Sequence, residues 1–390
     1  MKNKYLTGIS ANILLLGIIS FLNDLSSEMI IPILPMFITS LGGAGLVVGL
    51  IGGLRDSVSS LLKVLFGYWS DRRGRRKIFI TSGYLISSVF RLFLSLSQIW
   101  QHILIFAGLE RVGKGVRTAP RDAMIADSMP RERGKGFGIH RALDTLGAIA
   151  GSLLVFLLFW FLGFGFKLII LIAALIAFLS LIPLHFVKEE KKEPQNITLK
   201  IGLKNLPRSL KLFILISGIF ALANFSYMFF ILRAQEFFAG KLSVGVPILL
   251  YILFNIFYAL FAIPFGALSD RIGRKKVIVL GYFLFSLTCF GFAFFSSLIS
   301  FVFLFALYGI VYAIIEANQR AYVSDLSAKE LRATALGTFH TTISLVALPS
   351  GLIAGALWQN IAPRITFIYG SIVSIISVLL FLLFRNHFED

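Results

Sequence analysis

Gly67-Tyr68-Trp69-Ser70-Asp71-Arg72-Arg73-Gly74-Arg75-Arg76-Lys77 is a short basic turn wedged between two long apolar runs. It returns 199 positions later, about half the 390-residue chain, as Gly266-Ala267-Leu268-Ser269-Asp270-Arg271-Ile272-Gly273-Arg274-Lys275-Lys276. A charged hairpin that recurs at half the chain length, each time between membrane-length segments, marks one membrane module present twice. The repeat extends past the hairpins. Ala123-Met124-Ile125-Ala126-Asp127 matches Ala321-Tyr322-Val323-Ser324-Asp325, and a glutamate, Glu132 or Glu330, follows five residues on.

Composition agrees. The chain is 57% hydrophobic and 14% charged, whereas a soluble domain covers its surface with about 25% charged residues. The bilayer is therefore its main solvent. A net charge of +18 points to nucleic acid in a soluble protein, but here its placement gives another reading. Cys289 is the single cysteine and lies in an apolar run, which excludes a disulfide framework and a thiolate metal cluster. Met1-Lys2-Asn3-Lys4 before an apolar stretch imitates a signal peptide, yet no small-residue cleavage site follows.

A helical span needs about 20 mostly apolar residues. Twelve such segments fit, at 9–38, 45–68, 78–97, 101–125, 136–160, 166–186, 211–233, 245–268, 277–297, 300–323, 335–357 and 364–384. The expected fold is an all-α membrane protein with twelve transmembrane helices in two pseudo-symmetric six-helix bundles. The halves are residues 1–187 and 211–390, joined by a charged linker at 188–210. Placing the N-terminus in the cytoplasm puts roughly two dozen Lys and Arg on that face, against Lys167, Arg233, Lys241 and Arg364 on the other. Both termini are thus expected inside. The excess charge then reads as a topology signal and a contact for anionic membrane lipids, not as a nucleic-acid surface. The acceptor triplet Asn196-Ile197-Thr198 falls on the wrong face for glycosylation.

The duplicated G-x-x-S-D-R-x-G-R-[RK]-K loop resembles the signature loop of the major facilitator superfamily, and the resemblance covers nearly the whole chain. It implies a secondary transporter in the cell membrane that works by alternating access, with a substrate site near the midplane between parallel halves. It also implies a conformational gate at the hairpins: Gly67, Asp71, Arg72, Gly74 and Arg75 with Asp127, and Gly266, Asp270, Arg271 and Arg274 with Asp325. Asp71 would cap a helix near 333–336 in the other half, and Arg75 with Asp127 would complete a charge relay. Arg111-Val112-Gly113-Lys114-Gly115 is similar to the family's fourth-helix R-x-x-x-G pattern, whose arginine is associated with proton coupling. Its partner would be Asp24 or Glu28. The fifth helix departs from the antiporter pattern: Gly147 and Gly151 are present, but Ser152 stands where proline is expected.

Ionised groups inside a span cost about 2.5–3.5 kcal/mol each on insertion scales, so each is a functional hypothesis. Asp24 and Glu28 share one face of span one, Arg55 and Asp56 lie mid-span two, and Glu110 and Arg111 lie in span four. These six are the candidates for proton coupling and the central cavity. Arg117, Arg121, Asp122, Arg141 and Asp144 read more simply as internal neutralisation. The C-terminal half is aromatic and less charged, with Asn224, Tyr227, Asn255 and Glu316 as candidate substrate contacts.

Gly108 to Gly115 nearly spells a phosphate loop but lacks the hydroxyl residue after Lys114, so no nucleotide hydrolysis is expected. His140 and His340 lack the clustering that metal ligands require. The expected protein is a monomeric transporter, not an enzyme, with no cofactor. Its partners are a small-molecule substrate, protons and membrane lipids. Efflux of amphipathic or drug-like compounds is the leading reading. Carriage of an organic anion on Arg55, Arg111 and Arg117, lipid flipping, and a non-transporting receptor are the rivals.

Overall fold

In the computed structural model, residues 10–130, 133–189, 206–327 and 331–384 are described. Glu132, Glu330, the Asn196-Ile197-Thr198 triplet and most of the 188–210 linker lie outside them.

Fifteen helices follow one another among the described residues. They are α1 (Ala11–Ile30), α2 (Leu34–Ser40), α3 (Gly45–Arg73), α4 (Lys77–Ser95), α5 (Trp100–Ser128), α6 (Arg133–Trp160), α7 (Phe166–Leu179) and α8 (Leu181–Phe186). After the linker come α9 (Arg208–Ala223), α10 (Met228–Gln235), α11 (Leu242–Ile272), α12 (Arg274–Phe294), α13 (Leu298–Asp325), α14 (Arg332–Asn360) and α15 (Pro363–Leu383). The twelve expected spans are all present, because three of them are broken in two. The first breaks at 31–33 beside Pro32, which lacks an N–H to continue the helix. The sixth breaks at Ser180 and the seventh at 224–227. Eleven helices or helix pairs are long and apolar enough to cross a membrane. The twelfth segment, α5, has the length, at 29 residues, but carries Glu110, Arg111, Lys114, Arg117, Arg121, Asp122 and Asp127. Gly108 to Gly115 lies inside this continuous helix, so it forms no loop to cradle a phosphate.

The chain resolves into two compact units, Met1–Ile33 with Val58–Leu199, and Leu34–Ser57 with Lys200–Asp390. The boundary runs through α3, whose first half packs in the second unit.

In the first unit, α1 lies on α6 with backbones nearly touching. A Cβ on Gly147 would sit 2.4 Å from the Phe21 carbonyl oxygen, and one on Gly151 2.2 Å from that of Leu25. Small residues permit this approach, which is how membrane helices gain contact when lipid is as apolar as the partner helix. In the second unit, the first half of α3 meets α14 in the same manner, with Gly49 against Gly351. Ser57 Oγ donates to the Ser344 carbonyl at 2.5 Å, and Gln359 Oε1 accepts from the Leu46 N–H at 3.2 Å. The centre of the second unit is aromatic: Phe220 stacks on Tyr282 at 3.8 Å, and Phe230 on Tyr308 at 4.2 Å.

Gly147→Val forces α6 off α1 and is expected to cost about 1–3 kcal/mol, the usual range for overpacking. Thermal unfolding in detergent checks this against Gly134→Ala, where an added Cβ meets nothing within 4 Å and the melting temperature should not fall.

Candidate functional site

Each hairpin is closed by one arginine between two carboxylates. In the second unit Arg274 pairs with Asp270 at 3.0 Å and Asp325 at 2.5 Å. In the first unit the bridging residue is Arg76, which pairs with Asp71 at 3.1 Å and also with Asp127. Arg75, the residue aligned with Arg274, is exposed beside it. The one-residue shift follows from loop length. Gly273 alone, at φ +97°, separates α11 from α12, while residues 74–76 separate α3 from α4, with Gly74 at φ +62°. Both turns need the left-handed backbone that glycine adopts freely.

The linker adds a contact that no motif announced. The Glu189 carboxylate accepts from the backbone N–H groups of Arg76 and Lys77, the latter at 2.9 Å. It thereby satisfies orphan donors at the start of α4, where the helix dipole also favours an anion.

Two charge networks fill the interior of the first unit. In one, Arg91 of α4, 1% exposed, pairs with Glu110 of α5 at 2.9 Å, and Arg111 approaches the other Glu110 oxygen at 3.3 Å. Arg91 also donates to the Asn23 carbonyl at 3.1 Å and to Ser26 Oγ at 2.9 Å, tying α1 to α4 and α5. Arg117 donates to Ser87 Oγ at 2.5 Å and lies 4.5 Å over the Tyr84 ring. Arg111 thus has a carboxylate neighbour on its own helix. Arg91 was missed, although it is an ionisable residue inside span three and the same rule applies to it.

The other network joins α1, α5 and α6. Asp144 accepts from Ser20 Oγ at 2.6 Å and from Arg141 at 3.0 Å. Arg121 pairs with Asp122 at 2.9 Å and donates to Ser20 Oγ at 3.4 Å. The Asp24 carboxyl, half-buried on α1, lies within electrostatic reach of the Asp144 carboxyl of α6. Glu28 and Lys114 lie in electrostatic reach of Asp24. Two carboxyls that share one site resist ionising together, which favours a single proton held by the pair.

The second unit gathers its polar groups among tyrosines. Glu316 accepts from Tyr258 Oη at 2.5 Å and from Arg320 at 2.5 Å. Tyr312 packs against Tyr308 at 5.0 Å and Tyr258 at 6.4 Å, with both Asp56 and Glu316 in electrostatic reach of its hydroxyl. Tyr227 meets Tyr251 at 5.9 Å. Asn224 and Tyr227 flank the break between α9 and α10. Asn255 donates back to the Tyr251 carbonyl of its own helix at 3.3 Å. Arg55 is buried and Asp56 exposed on the first half of α3. Beyond the spans, burial pushes the Glu236 carboxyl above its usual range, and its 2.8 Å pairing with Arg233 opposes that shift. No group of three potential metal ligands occurs among the described residues.

Removing one partner of a buried ion pair strands the other charge, at about 3–5 kcal/mol. Glu110→Met, which strands both Arg91 and Arg111, should therefore destabilise the protein strongly, while Arg91→Met, which leaves Glu110 with Arg111, should cost less. Chemical unfolding of both variants in detergent tests the pair.

Residues 16–248 and 213–390 match the sequence model of the Major Facilitator Superfamily. An uncharacterised MFS-type transporter of Methanocaldococcus jannaschii is 59% identical over 378 residues, 96% of this chain and 95% of that one. The multidrug resistance protein MdtG of Klebsiella pneumoniae is 28% identical over 278 residues, 66% of this chain and 65% of its own. Among solved structures, the nucleoside transporter NupG superposes with a TM-score of 0.81 over 97% of this chain and 99% of that one, at 17% identity, a likeness of fold. With the family match spanning both copies of the hairpin and a close relative of the same type along nearly its whole length, this chain is a multi-pass membrane transporter of the major facilitator superfamily.

Proposed function

We propose that this transporter exchanges protons for an amphipathic small molecule, and that the Asp24–Asp144 pair holds the coupling proton. The observation that carries this reading is the juxtaposition of those two carboxyls, on α1 and α6. While the proton is present the pair carries one negative charge. When it leaves, the second charge must be met by cations already near: Arg141 at Asp144, Arg121 through Ser20, and Lys114 within reach of Asp24. Those cations sit on α5 and α6, so proton loss redistributes electrostatic attraction among three helices. A change of protonation thereby biases the positions of helices, which alternating access requires.

Two facts support an amphipathic substrate. The polar groups of the second unit sit in an aromatic wall, and a relative that shares 66% of the chain is named for multidrug resistance. The organic-anion reading has less support. Arg91 and Arg111 are committed to Glu110, and Arg117 to Ser87 and the Tyr84 ring. The hairpin bridges at Arg76 and Arg274 are proposed as the conformational gate.

The test uses proteoliposomes with a trapped pH dye, challenged in turn with lipophilic cations and organic anions. Wild type should show proton flux on addition of lipophilic cations. Asp24→Asn and Asp144→Asn should each lower it by about 100-fold, within the range that loss of an essential proton carrier costs. Compound movement with undiminished proton flux in both variants would exclude the pair.

A further inference from the structure

We infer that the first hairpin carries a binding site for an anionic phospholipid, seated in a groove between the end of α3 and the start of α4. The groove has a volume of about 450 Å3 and is lined by Phe66, Trp69, Arg72, Arg73 and Phe79. Its floor is built of aromatic rings in edge contact: Phe66 lies 5.0 Å from Trp69 and 5.9 Å from Phe79. Trp69 is 46% exposed, and the neighbouring Ile78 and Leu65 are exposed apolar side chains. This face therefore looks toward lipid hydrocarbon.

Among the described residues, no acid pairs with the charge at its mouth. Arg72 donates to Tyr68 Oη at 3.2 Å, and the Arg73 guanidinium lies 5.9 Å from the Phe79 ring centre. Neither forms an ion pair among the described residues. Asp71, the adjacent carboxylate, is held by Arg76. Two guanidinium groups over an aromatic floor at the membrane boundary match a phosphodiester with its hydrocarbon chain. The guanidiniums meet the phosphate oxygens, the chain lies along Phe66 and Phe79, and the Trp69 indole sits at headgroup depth as interfacial tryptophans do.

The second hairpin is an internal comparison. In register with the first, Phe265 matches Phe66 and Arg271 matches Arg72, but Leu268 stands for Trp69, Ile272 for Arg73 and Ile278 for Phe79. The fold tolerates those replacements and still closes the second turn, with Arg274 bridging its two aspartates. The tryptophan, second arginine and second phenylalanine of the first copy are therefore not demanded by the hairpin itself. They are one local addition, and they line one groove. A lipid bound there sits beside the Asp71–Arg76–Asp127 bridge, so it is placed to stabilise that turn.

Native mass spectrometry of the detergent-purified full chain, titrated with phosphatidylglycerol or phosphatidylcholine, tests the site. The variant is Trp69→Leu with Arg73→Ile, since the second copy already carries both residues at these positions. The control is Arg208→Ala with Lys211→Ala, which removes two charges from a smaller basic groove beside Leu212, Leu215 and Phe384. Wild type and the control should both retain one phosphatidylglycerol in preference to phosphatidylcholine. The Trp69→Leu/Arg73→Ile variant should lose at least fivefold in that preference, the factor expected for about 1 kcal/mol per interfacial arginine. Equal retention of both lipids by wild type, an unchanged preference in the variant, or the same loss in the control would each overturn the assignment.

Discussion

An ionised group inside a bilayer must be answered by another charge or hydrogen bond, and the first unit is arranged around that requirement. Glu110 is acceptable in α5 because Arg91 and Arg111 meet both of its oxygens. Arg91 is acceptable in α4 because it pairs with Glu110 and also donates to the Asn23 carbonyl and Ser26 Oγ of α1. The answers given by Arg91 reach across to other helices, so neutralising the charges also fixes how α1, α4 and α5 pack. The glycines of α6 complete the arrangement by letting α1 approach until backbone meets backbone. What distinguishes Asp24 and Asp144 is that each answers a carboxyl with a carboxyl. Two like charges so placed repel, which is why the proposed function assigns a proton to the pair.

The two units differ in kind. The first keeps charges from four helices, α1, α4, α5 and α6, in its interior. The second has a core of stacked phenylalanine and tyrosine with its carboxylates at the margin, where Glu316 is shared by Tyr258 and Arg320. The repeated fold thus carries two unlike interiors, one charged and one aromatic. The hairpins repeat the pattern in miniature. Their bridges are conserved in geometry, while the first alone adds Trp69, Arg73 and Phe79.

Much of this was legible in the chain. The twice-written hairpin and the apolar run lengths give twelve spans, and the helices fall on them. Periodicity is silent about where a span breaks, so the interruptions at 31–33, Ser180 and 224–227 appear only in the structure. Pairing was the weakest part of the reading. Alignment of the two hairpins nominates Arg75, yet three linking residues in the first turn, against one in the second, move the bridge to Arg76. The fourth-helix pattern points Arg111 toward α1 and is silent about its sequence neighbour Glu110, which lies 3.3 Å from it. Asp144 looked like simple neutralisation, and its closeness to Asp24 depends on the tight α1–α6 contact, which no spacing rule encodes. Glu189 was read as one charge among many in a linker, and its capping of α4 is likewise a matter of tertiary placement.

Infrared spectroscopy of the purified protein at neutral pH, with aspartate isotopically labelled, measures the shared proton itself. A carbonyl band of a protonated carboxylic acid should be present in wild type and should vanish in both Asp24→Asn and Asp144→Asn, because the proton belongs to the pair. A wild-type spectrum with carboxylate bands alone, or a protonated band that survives in both variants, would contradict the proton-sharing account.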